Sequence, residues 1–185
     1  MTQLTKKAIR DSFRNLLEQK PLNKITVRDI VTGCGINRNS FYYHYRGIPE
    51  LCEEILREEC DRLIQTYPTV DSLEQGMDAI IHAVLANRKA LLHVFRSTER
   101  ALFERYLWRE ARYIVESYLN AVYPMDAIIP ADRELVYTSL TADTFGQVMH
   151  GLESGLKPEV IESTRRFYEL RHGMIEQLLS RCARL

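Results

Sequence analysis

Two short helices joined by a glycine-containing turn constrain this chain more than any other feature, and both lie in ITVRDIVTGCGINRNSFYYHYRG, residues 25–47. Thr26 stands at an N-cap position, where its hydroxyl can take a backbone N–H, ahead of VRDIV. Val27, Ile30 and Val31 then share one side of a helix of about two turns that the glycines of TGCG end. Asn37 is placed to cap the second helix, which runs through Tyr45. At about 100° per residue, setting Phe41 inward brings Tyr45 beside it. Asn39 and Tyr43 then point the opposite way, flanked by Ser40 and Tyr42.

Helical spacing continues on both sides. Ile9, Phe13, Leu16 and Leu17 make the stripe of a helix over about residues 4–19, which Pro21 stops. Pro49 opens a fourth helix with Leu51, Ile55, Leu56, Leu63 and Ile64 on one face. Residues 73–88, 88–97 and 98 to about 123 read as further helices. The two-proline loop YPMDAIIPAD precedes a helix over 133–155, and GLKPE separates it from a last helix over 158–182. No alternating strand pattern occurs. The expectation is an all-α fold of about nine helices, with a three-helix unit over 1–50 and a helical body over 51–185.

Formal net charge is zero, but residues 1–50 hold nine Lys or Arg against four Asp or Glu, and residues 51–185 hold sixteen against twenty-one. A basic surface is therefore expected on the N-terminal unit. No apolar run is long enough to span a membrane and the start MTQLTKKAIR lacks a signal-peptide core, so a soluble, cytoplasmic chain with no membrane partner is expected. Cys34, Cys52, Cys60 and Cys182 form no C-x-x-C pair and read as packing residues. No H-E-x-x-H, G-x-S-x-G, P-loop or G-x-G-x-x-G occurs, so neither an enzyme nor a cofactor is expected.

Twelve residues, INRNSFYYHYRG, combine three tyrosines, a phenylalanine, a histidine, two arginines and two asparagines. A core would need a partner for each polar group. A helix-turn-helix offers one explanation, because its second helix enters the DNA major groove. Arg38 can donate to guanine O6 and N7, Asn39 suits adenine or a phosphate, and Tyr42, Tyr43 and His44 offer donors to phosphate oxygens. The alternative is an aromatic-rich helix docking on another helix.

The segment ITVRDIVTGCGINRNSFYYHYRGIPEL, residues 25–51, resembles the DNA-binding signature of the TetR/AcrR family of bacterial regulators. The resemblance implies a homodimer whose N-terminal domain reads operator half-sites on double-stranded DNA and whose C-terminal helices hold an effector pocket and a dimer interface. By position, Thr26 and Arg28 would contact phosphate, and Asn37, Arg38, Asn39, Ser40, Tyr42 and His44 would form the recognition helix. Tyr43 joins them from the helical wheel, and Lys6 from the first helix. The family usually has a lysine where this chain has Ile48. Some proteins resembling the family have given up DNA and act as coactivators, which keeps that reading open.

In the body, His82, His93, Tyr106, Trp108, Tyr113 and Tyr118 are candidate pocket-lining residues among many aliphatics. His82 and His93 are eleven apart and share a helical face, but no carboxylate or cysteine sits at ligand spacing, so no metal is expected. Ala142 with Gly146, and Gly151 with Gly155, are small-residue pairs four apart that permit close helix approach. With Leu140, Phe145, Val148, Met149 and Leu152 on one helix and Phe167, Met174, Ile175 and Leu178 on the next, two subunits could form a four-helix interface; packing within one subunit is the alternative. Together these readings point to a ligand-responsive, homodimeric repressor of a near-palindromic operator with a small-molecule effector.

Overall fold

The computed structural model describes residues 2–67, 73–97 and 99–182, and among them finds ten α-helices and no strand. They are α1 (Thr2–Gln19), α2 (Val27–Cys34), α3 (Arg38–His44), α4 (Ile48–Thr66), α5 (Leu73–Ala86), α6 (Arg88–Phe95), α7 (Arg100–Val122), α8 (Pro130–Glu153), α9 (Pro158–Leu170) and α10 (Met174–Arg181). Among the described residues no helix is long and apolar enough to cross a membrane.

Two compact units result, one of residues 1–58 with 87–106, the other of 59–86 with 107–185. The N-terminal unit therefore extends past residue 50 and recruits α6, because α1 packs against both α2 and α6. Its interior gathers Ile9, Phe13, Leu17, Ile30, Val31, Phe41, Tyr45 and Leu51, all buried. Where α1 meets α2, the Ser12 hydroxyl donates to the Ile30 carbonyl at 2.8 Å. A Cβ on Gly33 would come within 2.4 Å of the Ser12 hydroxyl oxygen, so a larger residue there would have to turn that hydroxyl off the Ile30 carbonyl.

The second unit has one core around Val115, Leu119, Val136, Tyr137, Leu140, Ile175 and Leu179 on α7, α8 and α10. A smaller one joins Met77 and Ile81 of α5 to Tyr168 of α9. Tyr168 donates to Asp143 at 2.6 Å, and Arg171 donates to the same carboxylate oxygen. A buried phenol and a half-buried acid are thereby satisfied together.

Several expectations are corrected. The final helix is two, because Gly173 adopts left-handed backbone (φ 76°) and ends the run from Pro158 before α10 begins. The helix expected from residue 133 starts at Pro130, whose fixed φ and missing N–H suit a first turn. Thr98, the expected start of the long helix, lies outside the described residues. Gly151 and Gly155 do not form a helical pair: α8 stops at Glu153 and Gly155 (φ 75°) closes it. Gly155 N–H bonds the Leu152 carbonyl at 3.0 Å and Leu156 N–H bonds the Gly151 carbonyl at 2.7 Å, the six-to-one and five-to-two pattern of a Schellman ending. Leu156 folds back so closely that a Cβ on Gly151 would lie 3.2 Å from its Cδ2.

Candidate nucleic-acid interface and cavity

Local chemistry builds α2 and α3. Thr26 Oγ1 accepts from the Asp29 N–H at 3.2 Å, and the Asp29 carboxylate accepts from the Thr26 N–H at 2.9 Å, a reciprocal box that fills two orphan donors. Lys20 adds an ammonium at 3.0 Å. The backbone bond from Thr26, then Lys20 and the Thr26 hydroxyl, hold the Asp29 carboxyl down at about 2. Gly35 ends α2 in left-handed backbone (φ 69°), its N–H reaching Thr32 and that of Ile36 reaching Val31. Two residues later Asn37 Oδ1 accepts from the Ser40 N–H at 2.8 Å and caps α3.

The two sides of α3 differ sharply. Phe41 and Tyr45 are 0% and 1% exposed, with ring centroids 5.7 Å apart, while Tyr42 and Tyr43 are 55% and 78% exposed. Arg38 and Asn39 are also exposed, as are Thr26 and Arg28 on α2; Ser40 and His44 are half-buried at the edges. The Tyr43 and His44 rings meet edge to face at 5.0 Å. The surface thus presents a guanidinium, an amide and two phenols from four positions within two turns.

Behind α3, Glu54 of α4 accepts from three side chains at once, two on α1 and one at the end of α3. Lys6 Nζ lies at 2.6 Å, Arg10 Nη1 at 2.8 Å and Tyr45 Oη at 2.8 Å. Burial alone would raise this carboxyl, but bonds from Lys6, Tyr45 and Arg10 outweigh it and hold it below its ordinary value. Burial and Glu54 push the Tyr45 phenol well up, so it remains a donor. Lys6, expected on the DNA face, pairs its ammonium with Glu54 and lies 5.2 Å from the Tyr45 ring centroid. Sequence reasoning missed Glu54 because no local pattern distinguishes it from the other acids of α4. Ile48 is half-buried at the start of α4.

The second unit contains a cavity of about 700 Å³, counting its solvent-facing mouth, between α4, α5, α7 and α8. Leu63, Ile64, Met77, Ile80, Ile114, Val115 and Val122 make most of its wall, with Ser117, Tyr118, Thr144 and Tyr67 as its polar points. Of the residues expected to line a pocket, Tyr118 does. His82 is exposed and does not line this cavity. His93 belongs to the N-terminal unit, its Nδ1 2.5 Å from the Leu17 carbonyl. Tyr106 also belongs there. Tyr113 donates to Asp61 at 2.9 Å, and Trp108 meets Phe145 edge to face at 5.4 Å. The helix breaks at Asn87, so His82 and His93 share no continuous face. Among the described residues no three His, Cys, Asp or Glu side chains are grouped to hold a metal ion.

On α8, Ala142 and Gly146 are exposed, and a Cβ on Gly146 would meet nothing within 4 Å. Phe145 and Met149 beside them are half-buried. Phe167, Leu170, Met174 and Leu178 of α9 and α10 expose 41–66% of their surfaces.

A short capped helix, a left-handed glycine and an outward polar-aromatic helix define a helix-turn-helix, here attached to a wholly helical second unit. Residues 9–55 match the model described as bacterial regulatory proteins, tetR family, and residues 71–173 match that of a transcriptional regulator C-terminal region. The chain belongs to the TetR family of bacterial transcriptional regulators, a class of DNA-binding proteins and not of enzymes. Over 79 residues it is 32% identical to the HTH-type transcriptional repressor KstR2 of Mycobacterium tuberculosis, covering 42% of this chain and 40% of that protein. The same-named repressor of Mycolicibacterium smegmatis is 28% identical over 79 residues, 42% of this chain and 38% of its own length. These matches span about two fifths of the curated relatives. The fold is also similar to the dihydroxyacetone kinase operon activator DhaS, with a TM-score of 0.59 over 96% of each chain at 16% identity.

Proposed function

We propose that this chain is a ligand-responsive, homodimeric repressor of the cytoplasm that binds a near-palindromic operator through residues 1–50 and takes its effector and its partner subunit through residues 51–185. The exposed tyrosines of α3, set against fully buried Phe41 and Tyr45, carry the reading: a helix made for packing would hide all its rings. In this reading Arg38 and Asn39 read base edges. Arg28, Tyr42, Tyr43 and His44 meet phosphates, with Thr26, Asn37 and Ser40 at the same surface holding the helix starts. A second copy covering Phe167, Met174 and Leu178, with Ala142 and Gly146 allowing close approach, would set the recognition helices one helical turn of DNA apart. A ligand in the cavity would then shift the population of the DNA-binding form.

A gel shift on the DNA upstream of the gene tests it. Arg38→Ala and Asn39→Ala are expected to lose roughly 1–3 kcal/mol on the specific site while binding to random DNA changes little. Unaltered ratios for both variants would remove the base-reading role. Ile48, at the place where the family usually offers a lysine, favours a second reading: a coactivator that binds a protein partner. Failure of the wild type to bind any DNA at low salt would select it.

A further inference from the structure

From the wall of the cavity we infer that the effector is an uncharged, largely apolar molecule with one or two hydrogen-bonding groups at one end; the inference rests on the reading of that cavity as the effector site. Not one described lining residue is charged: the wall is Leu, Ile, Val, Met, Ala and Gly, with hydroxyls from Ser117, Tyr118, Thr144 and Tyr67. Four ion pairs of the same unit join residues that are not part of the wall. Arg112 pairs with Glu116 and Glu134, Arg165 with Asp78, and Arg171 with Asp143. An ionised ligand entering this space would lose its hydration with no opposite charge to replace it, a cost that far exceeds what its apolar part gains by burial. A hydroxyl or carbonyl costs little if it meets one of those side-chain hydroxyls. A smaller hollow of about 330 Å³, its open mouth included, shares Met77 and Ile80 with the first and is equally free of charge, with Gln147 and Thr164 as its polar side chains. The apolar wall therefore continues past α5.

A matched pair of fluorescent probes tests the inference: N-phenyl-1-naphthylamine, which is neutral, and 8-anilino-1-naphthalenesulfonate, the same framework carrying a sulfonate. The whole chain is titrated with each, alongside Ile80→Trp, which fills the cavity, and Ser117→Lys, which puts a cation on its wall. The neutral probe is expected to bind the wild type about tenfold tighter or more than the anion. Ile80→Trp should abolish that binding, and Ser117→Lys should reverse the preference. Thermal melts of both variants check that they fold, and either one alone decides the case. If the two probes bind equally and both are lost in Ile80→Trp, the cavity is a binding site but its ligand class is wrong. If folded Ile80→Trp and Ser117→Lys leave both titrations unchanged, the cavity is not a ligand site at all, and the effector reading fails with it.

Discussion

The N-terminal unit and the cavity region of the second unit are built from the same kind of amphipathic helix, yet they fill space differently. Around α3 the interior is complete: Phe41, Phe13, Ile9 and Ile30 are each 0% exposed, and what is left outside is polar and aromatic. Around α5 and α7 the apolar faces enclose a gap that side chains leave unfilled. A filled interior holds one surface in one shape, which suits recognition of a rigid partner. An unfilled apolar gap forgoes dispersion contacts that a guest can restore.

Truncation of one apolar side chain in each region is the strongest test of that contrast. Phe41→Ala is expected to cost roughly 3–5 kcal/mol, since nothing around a fully buried ring can collapse without moving α3. Ile114→Ala, on the half-buried cavity wall, should cost roughly 1–2 kcal/mol because it enlarges a space that already exists. Denaturant midpoints of the two variants compare them, and equal losses would end the distinction.

Glu54→Gln should have a middling effect, about 1–2 kcal/mol after allowance for partial exposure, by weakening three charge-assisted bonds together. Its signature is loss of specific DNA binding beyond the stability change, because Tyr45 ties the end of α3 to α4 through this carboxylate. Binding that follows stability alone would reduce Glu54 to a structural support.

The smallest effect is the pH dependence of the α2 cap. Asp29 is depressed from 3.8 to about 2 in the folded chain, so its contribution is fully present above the unfolded value and fades as pH falls from about 4 through 2. Stability curves of wild type and Asp29→Asn should run parallel above pH 4 and converge below it. A gap that stays undiminished at pH 2 would mean that the box acts through shape rather than charge.

Much of α2 and α3 was legible in the sequence because the forces that start and stop helices act over three or four residues. Thr26, Asn37 and Gly35 announce their roles from position alone, and the inward turn of Phe41 and Tyr45 follows from helical geometry. Asp29 was readable too, three residues after the Thr26 cap, but the break at Gly173 was not, because a lone glycine inside a helical pattern can also continue the helix. The cavity was not. Periodicity says which face of a helix is apolar, not which apolar faces meet without filling the space between them. Hence Tyr118 lines the gap while Trp108 and His82 do not.

By itself the sequence determined the all-helical class, the helix-turn-helix and the outward set on α3, since each depends on neighbours along the chain. Only the tertiary structure decided that Lys6 pairs with Glu54. It alone assigned α6 to the N-terminal unit and left the wall of the cavity without charge. Those outcomes depend on side chains 44 or more residues apart, such as Arg10 with Glu54, where burial and opposite charge act through space and leave no mark on local spacing.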